Sequence, residues 1–330
     1  MPCVSLRRRE FALAVAGFLC AVPRTARAAD AVNVLYAGSL VTVMERSIVP
    51  LAAKHGLDVQ GEGKGSVELA NLIRAGLRSP DVFISADPVV IDSLMGEANG
   101  DLVSWYAVFA STRLVVGYSP ASPLARDFAE VSRGRRSLID VLSTPGLRLG
   151  RTDPRLDPKG YRTIIAARLL ERLARRPGFA ARLLGSDLNP EQIVAAGGPI
   201  LVRLESGDLD AAFLYATEGV ARNVPFVELP KEANLGDASE AKTYATVSVT
   251  IDGKTHTGAP AAYALTIPNP PRKRDPSTAV HRDMASRFVA LLLSQEGRSV
   301  LTKSGVTMLA HPKVVGEPTT IPSSLQSLLR

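Results

Sequence analysis

Cysteine is nearly absent from this chain of 330 residues: Cys3 and Cys20 are the only two, and both fall within residues 1–28. A chain without that stretch has neither disulfide nor thiol chemistry, so its stability must rest on a packed core. Histidine is almost as sparse. His55, His256, His281 and His311 stand far apart with no HExxH or paired spacing, which argues against a zinc centre and against any bound free metal cation. Nucleophile and nucleotide motifs are missing too. There is no G-x-S-x-G elbow, and GEGKGS at 61–66 carries its lysine before the last glycine, without Walker spacing. No couple of carboxylates stands out for acid–base work, so the expectation is a non-enzymatic protein that carries no cofactor.

Aromatic residues are few and charge is moderate, the composition of a globular chain, and its length suits two ordinary domains or one two-lobed protein. The first 28 residues are different. Arg7, Arg8 and Arg9 precede the apolar run ALAVAGFLCAV and an A-R-A ending before Ala29, the three regions of a cleaved secretory signal. Arg8 and Arg9 followed by Phe11 resemble a twin-arginine export signal. The run is shorter than the about 20 residues a bilayer span needs, and Phe18 and Leu19 before Cys20 are unlike a lipid-anchor site. Residues 1–28 are therefore expected to be a signal peptide and the rest to work in the periplasm or outside the cell. Without their five arginines and one glutamate the net charge falls from +7 to about +3. That is too small and too evenly spread to suggest nucleic acid as a partner.

From Val32 onward short apolar strands alternate with helices, as a parallel α/β layer requires. VNVLYA, LDVQGE and DVFISA read as strands, each followed by a helical stretch: 40–54, 67–77 and 89–95. Two of the turns set serine after glycine where a helix begins, Gly38–Ser39 and Gly65–Ser66. Glycine lets backbone approach a ligand closely, and serine brings a hydroxyl beside the free amides of a first turn. Such turns at the carboxyl ends of parallel strands are where α/β sheets bind ligands. A third helix start lies in GRTDPRLDPKGYR at 150–162. There Asp157 suits the N-cap, Pro158 the first helical position, and Lys159 adds an ammonium. The helix continues with Ile164, Ile165, Leu169, Leu170 and Leu173 at helical spacing. Either an anion-binding end or a plain cap of a surface helix fits these residues.

Further along, Asn189–Pro190 is expected to start a helix, and ESGDLD to close another. AAFLYA, 224–229, 246–251 and AYALTI read as strands, and 284–305 as an amphipathic helical stretch before a basic, polar tail. The economical architecture is α/β with two lobes: residues 29–116 plus 260–330 form lobe 1, and 117–259 form an inserted lobe 2. RLVVGYS and AYALTI would be the two crossings, making a hinge and a closing cleft.

A resemblance adds to this. LYAGSL at 35–40, GSVELANLI at 65–73, PDVFISAD at 80–87, RLVVGYS at 113–119, TDPRLDPKGYR at 152–162, ESGDLDAAFLY at 205–215, FVELP at 226–230 and FVALLLSQEG at 288–297 follow the order seen in tungstate/molybdate-binding proteins. The chain thus resembles substrate-binding proteins of ABC transporters over nearly all of its length beyond the signal. The resemblance implies a two-lobed type II periplasmic binding-protein fold and a tetrahedral oxyanion, molybdate or tungstate, in the cleft. It also implies a monomer that delivers this ligand to a membrane permease.

Carried over by motif, the implied binding positions are Gly38, Ser39, Ser66, Asp157, Pro158, Lys159 and Tyr215. Two features depart from the family, whose archaeal members commonly have cysteine or another small residue where Lys159 stands. They also place a glutamate, a second carboxylate beside the metal atom of the oxyanion, where this chain has Gly197, Gly198 and Pro199. With Asp157 alone, the ligand is expected to be held as a tetrahedron by amides, hydroxyls and the Lys159 ammonium, with Asp157 a possible contact to the metal of the oxyanion. Glu218 is read as a solvated residue, not a replacement acid. Sulfate, thiosulfate and phosphonate remain alternative ligands, and a secreted enzyme is the more distant alternative. A ferric ion is disfavoured because the adjacent tyrosine pair of such binders is missing.

Overall fold

The computed structural model describes residues 31–270 and 277–329. The expected signal segment, 1–28, lies outside them. In chain order the strands are β1 (Val32–Ala37), β2 (Val59–Lys64), β3 (Val82–Ser85), β4 (Trp105–Ser111), β5 (Leu114–Tyr118), β6 (Leu149–Thr152) and β7 (Ile193–Val194). They continue with β8 (Ala211–Tyr215), β9 (Phe226–Glu228), β10 (Ser248–Ile251), β11 (Lys254–Thr257), β12 (Ala262–Thr266) and β13 (Thr307–Gly316).

Two mixed sheets organise these strands. The first has the order β13-β4-β12-β3-β1-β2, with β1 parallel to both β2 and β3 and the remaining pairs antiparallel. The second runs β7-β6-β8-β5-β9, and β10 and β11 form a separate hairpin. Side chains alternate between faces along each strand. Val34 and Tyr36 of β1, Val82 and Ile84 of β3, and Leu114 and Val116 of β5 enter one apolar cluster that runs through both sheets. Leu35 and Phe83 face a second cluster, on the outer side of the first sheet, and Val115 a third on the outer side of the second. Helices close these outer faces, Ser66–Arg74 and Pro88–Asp92 on one and Gly198–Glu205 on the other.

Several expectations need correction. The strand Leu114–Tyr118 pairs only within the second sheet, so the chain leaves the first sheet at Thr112–Arg113 and not at 116. It returns through 258–261 into β12, and the two passages lie side by side, with the Thr112 amide donating to the Ala261 carbonyl at 3.1 Å. Asn189–Pro190 starts no helix; it sits in a turn leading into β7. The fully buried Arg151 overrides the local signal there. Its guanidinium donates to the carbonyls of Ser186 (2.6 Å) and Asp187 (2.9 Å) and to Gln192 Oε1 (3.1 Å). The expected polar tail contains β13, which pairs with β4, a strand the sequence pattern did not single out. The stretch 284–305 is divided by Ser294, whose hydroxyl caps the helix Gln295–Lys303 after the helix Ser277–Leu293. Among the described residues no helix is long and apolar enough to cross a membrane.

Candidate ligand-binding site

The helix Pro158–Leu173 begins as its residues dictate. Asp157 is the N-cap, its Oδ1 accepting from the Lys159 amide at 3.2 Å, and Pro158 follows at the first helical position. It is not a surface helix. Every residue from Pro158 to Ala167 is buried, as are Leu169 and Leu170, while Leu173 lies exposed. A helix start enclosed in this way needs partners for its polar groups, and they come from both sheets.

β1 runs into a 3₁₀ turn over Gly38–Leu40. Ser39 Oγ lies 2.9 Å from Tyr263 Oη on β12. Gly38 meets the backbone of the other lobe, for a Cβ there would stand 2.9 Å from the Gly197 nitrogen. β2 leads to Gly65, the N-cap of the helix Ser66–Arg74. Gly65 abuts the loop before Asp157 so closely that a Cβ would lie 2.3 Å from the Leu156 carbonyl oxygen. The same oxygen accepts from the Glu68 amide at 3.1 Å. Ser66, 0% exposed, accepts from the Ala86 amide at 3.0 Å, and no acceptor is present for its own hydroxyl hydrogen among the described residues. Tyr215 ends β8, fully buried, its ring 6.4 Å from that of Tyr263 in an edge-on arrangement. The glycine–serine turns, the Asp157 cap and Tyr215 are therefore brought together from distant parts of the sequence.

Two residues behave differently from expectation. Lys159 (1% exposed) places its ammonium 2.7 and 2.8 Å from the two oxygens of Glu218 (1% exposed), so Glu218 is a buried acid and not a solvated one. The Tyr215 amide also donates to Glu218 Oε2 at 2.8 Å. Burial raises the Glu218 carboxyl above its ordinary range, and the Lys159 ammonium pulls it part of the way back. The positive charge expected to compensate an incoming dianion is thus already matched by a carboxylate, with no partner for the third ammonium hydrogen among the described residues.

The residues that sequence reasoning missed are Asp87, Arg162 and Tyr263. Arg162 (3% exposed) donates to the Tyr215 hydroxyl oxygen at 2.8 Å and to the Ala86 carbonyl at 2.6 Å, and pairs with Asp87 Oδ2 at 2.9 Å. Because that oxygen accepts from Arg162, the phenol hydrogen of Tyr215 is free for another acceptor. Burial pushes the Tyr215 phenol well above its usual value, against the pull of Arg162, so it stays a neutral donor. Arg162 and Asp87 both lie inside motifs singled out by the sequence, but only the fold reveals that they meet. No group of three or more His, Asp or Glu side chains that could hold a metal ion occurs among the described residues.

Chemically the site offers hydroxyls, a phenol and helix-start amides, with the carboxylate of Asp157 among them and no cation paired to it among the described residues. Such a set has the donors to hold and orient an oxygen-rich ligand.

The chain is similar to several known proteins. The sequence model of the bacterial extracellular solute-binding proteins matches residues 32–307. A protein of Haloferax volcanii named for molybdenum binding in an ABC transporter is 36% identical, over 94% of this chain and 95% of its own length. A molybdate/tungstate-binding protein of Pyrococcus abyssi is 26% identical over 90% of this chain and 89% of its own. Among solved structures, the periplasmic molybdate-binding protein of Azotobacter vinelandii superposes with a TM-score of 0.54 at 16% identity, covering 84% of this chain and 99% of that one. The fold is that of the two-lobed type II periplasmic binding proteins, the two sheets marking the lobes and the cleft lying between them. On the sequence match over residues 32–307, the chain belongs to the bacterial extracellular solute-binding protein family.

Proposed function

We propose that this protein captures molybdate or tungstate outside the cytoplasm by closing its lobes, and hands the ion as a monomer to an ABC permease without chemical turnover. The observation that supports the reading is that buried groups of the two lobes meet: Ser39 bonds Tyr263, whose ring lies edge-on to Tyr215, and the Gly65–Ser66 turn abuts the loop before Asp157 and Lys159. We include Gly38 and Pro158 for their backbone. The names of the relatives point to the same ligands.

The charge balance favours these ions over sulfate. Lys159 is matched by Glu218 and Arg162 by Asp87, leaving Asp157 without a paired cation among the described residues. A carboxylate beside a dianion is repulsive unless it bonds to the central atom. Hexavalent molybdenum and tungsten accept oxygen ligands beyond four, whereas the sulfur of sulfate does not. In this reading Asp157 contributes an oxygen to the metal of the oxyanion, and the Lys159 ammonium, paired with Glu218, has a smaller part than the sequence suggested. Calorimetry of the protein against molybdate, tungstate, sulfate, phosphate and chromate tests this. Dissociation constants of about 1 µM or below, near 8 kcal/mol, are expected for the first two with sulfate far weaker, and silence toward all five defeats the proposal. Ser39→Ala and Ser66→Ala should each weaken binding by about 1–3 kcal/mol, as loss of a hydroxyl donor to a charged ligand does.

A further inference from the structure

Asp87, Tyr161 and Arg162 join the lobes beside the cleft, and none of them is among the implied binding positions. Asp87 is fixed within lobe 1. It caps the helix Pro88–Asp92 by accepting from the Val89 amide at 3.1 Å, its own amide donates to Ser85 Oγ at 3.0 Å, and its carbonyl accepts from that hydroxyl at 2.7 Å. Its other carboxylate oxygen, Oδ2, accepts from the Tyr161 hydroxyl at 2.6 Å and pairs with Arg162 at 2.9 Å, both from the first turns of the lobe 2 helix. Arg162 also donates to the Ala86 carbonyl. Tyr161 is held from behind by His256 of β11, stacked on its ring at 3.9 Å and 15°. All three residues are buried.

This cluster touches the binding positions at two points. Ala86 passes from Arg162, at its carbonyl, to Ser66, at its amide. Arg162 reaches Tyr215 and leaves the phenol hydrogen free. Parting the lobes would pull Asp87 away from both partners and loosen the seat of Ser66 and Tyr215 in the same movement.

We propose that Asp87, Tyr161 and Arg162 are a cross-lobe latch, built entirely from the chain's own groups, that weights the lobe equilibrium toward closure and thereby sets how long the ligand stays. Its role in ligand residence rests on the oxyanion-binding reading given above; its role in closure does not. A ligand that enters between the open lobes and is held once they close can leave only after they part again. Groups that hold the closed form therefore act on release, and on capture hardly at all.

The test uses the whole protein with a spin label on an exposed position of each lobe, Ser79→Cys and Lys242→Cys, in the wild-type background and with Tyr161→Phe or Asp87→Asn. Tyr161→Phe keeps the ring and its stack on His256, so it removes one hydrogen bond without threatening the fold. Interlobe distances without ligand should shift toward longer values in both variants. The release rate of tungstate, by stopped flow, should rise about 3- to 10-fold in Tyr161→Phe and about 30-fold in Asp87→Asn. Capture rates should stay within about twofold of wild type, a split that simple loss of stability would not produce. Unchanged distances without ligand, or unchanged release, overturns the latch. If the wild type responds to no oxyanion, the ligand reading fails, and the ligand-free distances alone still decide whether the latch exists.

Discussion

Two buried ion pairs start from one turn of the same helix and do different work. Lys159 reaches Glu218 within lobe 2, whereas Arg162 reaches Asp87 across the cleft. The inner pair keeps its partner whether the lobes are open or shut, so it belongs to the fold. In the latch proposed above the outer pair forms on closure, and when it parts, each member can return to water. Burial of a charge is costly only while the burial lasts. The same chemistry is thus structural in one place and conformational three residues later.

The sharpest way to break the contrast is to cut the inner pair. Glu218→Gln leaves the Lys159 ammonium buried without a counter-charge and should cost about 3–5 kcal/mol of folding stability in urea titration. The double variant Lys159→Met with Glu218→Gln should recover most of that, because no lone charge remains. Gly65→Ala attacks the outer contact instead. Gly65 has ordinary backbone angles, φ −56 and ψ 133, so alanine is tolerated while the lobes are apart. On closure its Cβ would press on Leu156. Ligand affinity should fall by about 1–3 kcal/mol, the cost of overpacking, with the urea midpoint of the free protein nearly unchanged.

Acidity separates the pairs more gently. The Glu218 carboxyl is raised by folding, so between its ordinary value and the raised one the folded state holds more protons than the unfolded state. Stability should then fall as the pH climbs through that interval, and this part of the slope should vanish in the double variant. The smallest effect is expected at Thr152, whose buried hydroxyl has no hydrogen-bond partner among the described residues. Thr152→Val keeps the shape and removes that cost, so the melting temperature should rise slightly, by the equivalent of about 1 kcal/mol or less.

Whether these features could be read in advance depended on how far their causes lie apart in the chain. Asp157, Pro158 and the glycine–serine turns announce helix starts because capping is decided within a few residues, and the strands around Val34 and Val116 are legible from their apolar runs. The partnership of Lys159 with Glu218 spans 59 positions, and that of Arg162 with Tyr215 spans 53. No local pattern marks either. Glu218 looked solvated because glutamate usually is, and only the closing of β8 onto the Pro158 helix buries it. Asn189–Pro190 misled for the opposite reason. Its local signal suits a helix start, and a guanidinium from β6 takes the carbonyls nearby and holds the segment in a turn. Tyr263 was visible only as one more residue of an apolar strand, until the fold set its hydroxyl against Ser39.

The side-by-side passage of the chain at Thr112 and Ala261 has a mechanical meaning. Two tethers lashed together behave as a single pin, so the halves can swing but have little freedom to slide or shear. Thermal agitation is funnelled into one coordinate, and whatever the ion contributes on arrival is spent along that coordinate alone.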